Sequence, residues 1–141
     1  MRQVLVVDDD AGIRTMLRFT LEEEGYAVYE ADNGEGALDV LRAAHEPMVV
    51  LLDLQMPHLS GEGLLASVAR ELDLAPRHAY VLMSANADRI SATCLSLMSA
   101  LAVPIVSKPF DLDLLLGMVD RAAMGLAAGT ASASRPHAIA S

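Results

Sequence analysis

The chain has 141 residues, a formal net charge of -9 and a pI near 4.7. That length supports one domain whose core needs no covalent staples, and the negative balance opposes a sequence-independent grip on nucleic acid. No apolar run reaches the roughly 18 residues that suggest a membrane span, the first residues enter a strand without room for a signal peptide, and the lone Cys94 excludes an internal disulfide, so a cytoplasmic protein is expected.

Val4-Leu5-Val6-Val7 predicts a first strand, followed by Asp8, Asp9 and Asp10. Short Val/Leu/Ile-rich runs bounded by turn signals read as strands buried on both faces, the mark of a parallel sheet. Asp10 suits the N-cap of a first helix that aligns Ile13, Met16, Leu17 and Leu21 and stops at Gly25. Residues 26–31 read as a second strand, and a second helix carries Ala37, Leu38, Leu41 and Ala44. Pro47 opens a third strand, which ends at Asp53; a loop punctuated by Pro57 and Gly61 leads into a helix over residues 62–72. The run Tyr80-Val81-Leu82-Met83 predicts a fourth strand ending at Ser84, and Ile90, Cys94, Leu97, Met98 and Leu101 mark a fourth helix. A fifth strand over 102–107 ends at Lys108-Pro109, and a fifth helix begins near Asp111 with Leu114, Leu115, Met118 and Val119 facing inward.

Alternating strands and helices predict an α/β domain with right-handed crossovers and helices on both faces of the sheet. From Gly125 the composition turns to Ala, Ser, Thr and Gly, which bury little. Residues 1–124 are therefore expected to form the domain and 125–141 a flexible tail, with residues 122–128 able to extend the last helix. His45, His58, His78 and His137 show no ligand spacing and read as surface residues; Cys94 reads as a small core hydrophobe.

Five polar residues stand where apolar runs stop: Asp8 and Asp9, Asp53, Ser84 and Lys108. In open α/β sheets ligands bind outside the carboxyl ends of the strands, so these residues are expected to share one site. Carboxylates brought together favour a cation. Mg2+ fits, because it takes one or two protein carboxylates together with phosphate oxygens. Lys108 supplies a compact positive charge for an anionic oxygen, Ser84 a rotatable hydroxyl donor, and a carboxylate so placed can attack a phosphoryl group to form an aspartyl phosphate.

The segments Val6-Val7-Asp8-Asp9, Leu51-Leu52-Asp53-Leu54-Gln55-Met56-Pro57 with Gly61, Met83-Ser84-Ala85 and Ser107-Lys108-Pro109-Phe110 resemble the receiver domain of bacterial two-component response regulators, over residues 2 to about 124. The resemblance implies a flavodoxin-like, doubly wound five-stranded parallel sheet in the order 2-1-3-4-5. It also implies that Asp53 is the phosphoacceptor. Mg2+ would be held by Asp8, Asp9, Asp53 and the main-chain carbonyl of Gln55, Lys108 would contact the phosphoryl group, and Ser84 would be the switch hydroxyl. A cis peptide between Lys108 and Pro109 is implied too, as is modulation of the phosphoryl lifetime by Gln55 and Asn86.

The sequence departs from the family at Ile105, where many members carry a Tyr or Phe whose ring turns inward on activation. The implied partners are a sensor histidine kinase or histidine phosphotransfer protein upstream and a protein target downstream, reached through the fourth helix, fifth strand and fifth helix, with no nucleic acid or membrane. Two other classes compete. A phosphohydrolase of the haloacid dehalogenase type needs an Asp two residues beyond its nucleophile, where this chain has Gln55. A receiver-like interaction module that is never phosphorylated typically lacks one of the acidic residues or the lysine, all of which are present here. A receiver at the head of a longer regulator remains a further reading.

Overall fold

The computed structural model describes residues 2–56, 60–71, 74–85, 90–109 and 111–134, with residues 75 and 127–134 described at the backbone alone. In chain order the strands are β1 (Gln3–Val7), β2 (Ala27–Ala31), β3 (Met48–Asp53), β4 (Ala79–Ser84) and β5 (Ile105–Ser107). The helices are α1 (Ala11–Glu23), α2 (Gly34–Ala43), α3 (Gly61–Arg70), the single turn α4 (Leu74–Arg77), α5 (Ala92–Leu101) and α6 (Leu112–Ser134). All strand pairs are parallel, as the apolar runs predicted, and their spatial order is 2-1-3-4-5, as the resemblance implied.

The continuous apolar runs are explained by two cores, one on each face. Side chains alternate across a strand, so Leu5, Val7, Val50, Leu52, Tyr80 and Leu82 pack under α2, α3 and α5. Their neighbours Val4, Val6, Val49, Leu51, Val81 and Met83 pack under α1 and α6. A one-residue slip would exchange the two sets. The register Val7↔Leu52 and Asp53↔Met83 therefore brings the ends of β1, β3 and β4 to one edge.

Several boundaries differ from expectation for local reasons. The second strand starts at Ala27 because Gly25, at φ +90, ends α1, and the Tyr26 amide still donates to Leu21 O. α2 stops at Ala43, and Ala44 is already extended. α3 ends at Arg70, and a separate turn follows at Leu74. Ile90 lies before α5, whose N-cap is Ser91.

β5 is shorter than expected because Ala102, at φ 55, caps α5 in the left-handed region, and Pro104 has no N–H to offer a ladder. In α6, Leu114 is 52% exposed while Leu115 is buried, so only part of the expected inward stripe is used. The same helix runs past Gly125 to Ser134, where a flexible tail was expected beyond about residue 128; alanine is the strongest helix former, so an Ala-rich stretch favours continuing the helix. His78 is buried, not exposed: its Nδ1 accepts the Met48 amide at 3.0 Å. Burial and the neighbouring Arg77 charge push its pKa down to about 4. Cys94 is buried, as expected. His58 and His137 lie outside the described residues.

Candidate functional site

The carboxyl edge of the sheet collects the acidic residues. Asp8 follows β1 and is fully buried; Asp53 ends β3 and is 3% exposed; Asp9 is exposed. One carboxylate oxygen from each lies within 4.8 Å of the others, so the three form a cluster able to hold a cation. Lys108, just after β5, reaches into it from the opposite side. Its Nζ lies 2.8 Å from Asp8 Oδ2 and 3.3 Å from Asp53 Oδ2.

These contacts fix the electrostatics. Burial raises the Asp53 pKa, and the nearby Asp8 raises it further; the Gln55 amide, donating to Asp53 Oδ1 at 3.1 Å, and Lys108 pull it back without cancelling the rise. Burial alone would lower the Lys108 pKa, but the two carboxylates outweigh it and the net shift is upward. The lysine is thus held charged, while Asp53 sits in a place that penalises its own charge and rewards any cation brought to it.

The backbone after Asp53 is tied to β4, and β4 in turn to the segment that carries Lys108. The Leu54 amide donates to Met83 O at 3.0 Å, and the Lys108 amide donates to Ser84 O at 2.9 Å. Gly61, the first residue of α3, packs directly on this turn: a Cβ there would stand 2.4 Å from the Asp53 carbonyl oxygen and 2.7 Å from Leu54 Cα. Only glycine allows that approach, so α3 can begin beside Asp53, capped by Ser60 Oγ on the Gly63 amide at 3.2 Å.

Ser84 is buried at the end of β4. It lines a cavity of about 190 Å³ shared with Gln55, Glu62, Ser91 and Cys94. Across this space the Ser91 hydroxyl donates to Glu62 Oε1 at 2.6 Å while accepting the Cys94 amide at 3.0 Å, which links the starts of α3 and α5. Ile105 is half-buried and packs against the core with Leu97, Met98 and Leu101. The Lys108–Pro109 peptide is cis, as the resemblance implied. Asn86 lies outside the described residues.

The geometry therefore brings together Asp8, Asp9, Asp53 and Lys108, and sets Ser84 and Gln55 beside them. Sequence reasoning missed Arg14, which grips Asp8 from α1, and the Glu62–Ser91 link. A signal for Arg14 was present: a cation in the first turns of a helix is disfavoured by the helix dipole, so its placement there calls for a specific anionic or carbonyl partner.

A doubly wound parallel sheet with an acidic cluster and a lysine at its carboxyl edge defines a signalling domain of the chemotaxis-regulator architecture. Residues 4–120 match the response regulator receiver domain, and the chain belongs to that family: it contains the receiver domain of a two-component response regulator.

Among relatives, it is 39% identical to the transcriptional regulatory protein KdpE of Mycobacterium tuberculosis, over 80% of this chain and 47% of that one. It is 34% identical to the probable transcriptional regulator ycf27 of Porphyridium aerugineum, over 85% and 50%. The chain thus spans about half the length of these relatives. Among solved structures, it is similar to the response regulator TrrA of Thermotoga maritima in complex with Mg(2+)-BeF, at 31% identity and a TM-score of 0.70, covering 86% of this chain and 98% of that one. The chemotaxis protein CheY4 of Vibrio cholerae matches with 27% identity and a TM-score of 0.72, over 86% and 98%. Receiver domains are signalling modules that interact with histidine kinases or phosphotransfer proteins. Among the described residues no helix is long and apolar enough to cross a membrane.

Proposed function

We propose that this chain is a phosphoacceptor in a two-component phosphorelay in the cytoplasm: Asp53 takes a phosphoryl group from a phosphohistidine on a sensor kinase or histidine phosphotransfer protein. The observation that carries the reading is the juxtaposition of Asp53 with Asp8 and Lys108, a buried carboxylate beside a second carboxylate and a lysine within ion-pair distance of both. Asp8, Asp9, Asp53 and the Gln55 carbonyl are the groups suited to hold Mg2+, and their hard oxygen character fits that ion. Mg2+, when bound, supplies charge neutralisation for phosphoryl oxygens.

The chain's own residues supply the rest. Asp53 Oδ attacks phosphorus and the bond to the donor imidazole breaks, so the charge that leaves the histidine arrives on Asp53. Lys108 Nζ, already on Asp53 Oδ2, meets a phosphoryl oxygen, and the Ser84 hydroxyl donates to another. Gln55 and Asn86 modulate hydrolysis by steering water. The phosphoryl group carries about -1.5 to -2 charges in place of the single charge of the Asp53 carboxylate it esterifies, a net gain of about one, drawing Lys108 and Ser84 inward and biasing α5, β5 and α6, the surface offered to a downstream protein. Ile105 lacks the ring that many relatives turn inward, so this route runs through Ser84 and the loop before α5. The domain ends near residue 124, and the chain itself makes no nucleic-acid contact.

Incubation with acetyl phosphate tests this. Phosphate should be taken up in a Mg2+-dependent manner by the wild type and by no Asp53→Asn protein. Equal uptake by Asp53→Asn, or none by the wild type, would overturn the reading; the second outcome would favour a receiver-like module that works unphosphorylated.

A further inference from the structure

Every polar atom of Asp8 is engaged. Its amide donates to Ala31 O at 3.2 Å, its Oδ1 accepts the Asp10 amide at 2.9 Å, and its Oδ2 takes Lys108 Nζ at 2.8 Å. Its carbonyl lies past the last registered pairs of β1, Val7↔Ala31 and Val7↔Leu52, so no neighbouring strand is registered against it. Arg14 of α1 fills that place, with Nη1 donating to Asp8 O at 2.7 Å.

The guanidinium is itself held. Arg14 Nε donates to Glu30 Oε1 at 3.2 Å, and the other Glu30 oxygen pairs with Arg18 Nη1 at 3.1 Å. Glu30 precedes Ala31, the residue whose carbonyl receives the Asp8 amide. A closed circuit therefore runs from Asp8 through Arg14 to Glu30 on β2 and back through Ala31. The Arg14 side chain is only 18% exposed, so the carbonyl contact is sheltered from competing water.

We propose that Arg14 is a positioning residue for the acidic site: by clamping the Asp8 carbonyl to Glu30 it fixes the peptide from which the Asp8 carboxylate projects into the cation cluster. The proposal deepens the functional reading above and rests on it for the identity of the cation. A planar fork does this where an ammonium cannot, because one guanidinium serves the carbonyl and the carboxylate together. The clamp carries positive charge next to a cation site. Charge alone would make its removal tighten Mg2+ binding, whereas positioning makes its removal weaken binding, so the two accounts differ in sign.

Arg14→Met and Arg14→Lys are compared with wild type by calorimetric titration with MgCl2, by amide exchange without metal, and by denaturant midpoint. Arg14→Met should bind Mg2+ roughly tenfold more weakly, the low end of losses seen when groups orienting metal ligands are removed. Amides of Asp8 and Asp10 should exchange faster, with those of Val50 and Leu51 unchanged. Arg14→Lys, which keeps the charge but has one donor position for two acceptors, should fall between the two and fold normally. Affinity in Arg14→Met equal to or tighter than wild type, or unchanged exchange at Asp10 in both variants, overturns the proposal. A wild type that binds no Mg2+ defeats the functional reading instead, and the exchange measurement then decides the role of Arg14.

Discussion

On the β1–β2 flank of the sheet, pairing runs without a break from Gln3↔Ala27 to Val7↔Ala31, and Glu30 ties both Arg14 and Arg18 of α1 to the edge strand. On the β4–β5 flank, pairing begins only at Leu82↔Ile105 and ends at Ser84↔Ser107, preceded by a left-handed Ala102 and a proline. Both flanks deliver charged groups to one site: Asp8 from the first, Lys108 from the second. The acidic residue is thus set in a tied frame, while the lysine and Ser84 stand on the flank with fewer ladder bonds. Local opening tracks such differences in bonding and packing. Rearrangement on phosphorylation is expected on the Lys108 side, with the Asp8 side acting as the fixed reference.

The largest effect that would sharpen this contrast comes from Lys108→Met. Breaking a buried charge pair costs about 3–5 kcal/mol because the remaining charge is left unpaired; with Asp8 fully buried and Lys108 partly exposed, about 3 kcal/mol is expected at pH 7. Added Mg2+ should restore part of it by replacing the lost cation. Denaturant unfolding with and without MgCl2 reads both. A midpoint unmoved by the substitution would mean that the two carboxylates do not depend on Lys108.

Next is Gly61→Ala. Its Cβ would fall against main-chain atoms of Asp53 and Leu54, which cannot turn aside as a side chain can. Overpacking of this kind costs about 1–3 kcal/mol. Because the displaced atoms carry Asp53, phosphate uptake should slow by more than the stability loss explains. Uptake at the wild-type rate in folded Gly61→Ala protein would show that the position of α3 is irrelevant to the site.

The positions of Asp8, Asp9, Asp53, Ser84 and Lys108 were legible because each ends an apolar run, and a parallel sheet sends every such end to one edge. The order of the sheet came from resemblance, since periodicity does not rank strands. Arg14 was only partly legible, since its place in the first turns of α1 asks for a partner without naming one. An arginine on an amphipathic helix ordinarily faces water, and its partner here is a main-chain carbonyl that no sequence pattern displays. Gly61 read as loop punctuation, whereas its role is a close backbone approach. His78 read as a surface residue because a lone histidine carries no sign of the amide it receives. The turn at Leu74 and the run of α6 to Ser134 had weak signals, one too short for periodicity and the other helical by propensity without an apolar face.

The opposite edge of the sheet supplies a pH dependence independent of the site. In the unfolded chain His78 titrates near 6.5, but in the fold its pKa is about 4. As pH falls through that window the unfolded chain takes up a proton that the folded one refuses, so stability is full above about 6.5 and declines toward 4. With allowance for water reaching the ring, about 2 kcal/mol is expected at pH 4. Asp53 acts in the opposite sense: its raised pKa favours the fold at low pH, and that contribution is lost as pH rises through it. The difference between wild type and His78→Gln isolates the histidine. Parallel stability curves for the two proteins between pH 6.5 and 4 would rule it out.

The smallest effect bears most directly on the thin flank. Ala102 adopts φ 55 at the end of α5, a conformation that an L-residue with a Cβ holds at a cost of about 1 kcal/mol and that glycine adopts freely. The backbone is kept there because the Ala102 amide reaches back to Ser99 O, the Val103 amide donates to Met98 O at 2.9 Å, and Val103 is buried. Ala102→Gly should therefore stabilise the fold by somewhat less than 1 kcal/mol, since glycine also loses more chain entropy on folding. If the β4–β5 flank opens separately from the rest, the gain should appear as slower exchange at Val103, Val106 and Lys108, with the β1–β2 amides unchanged. A gain spread evenly over both flanks would show that the sheet opens as one unit. The contrast between a fixed Asp8 and a yielding Lys108 would then have to arise from the ion pairs alone.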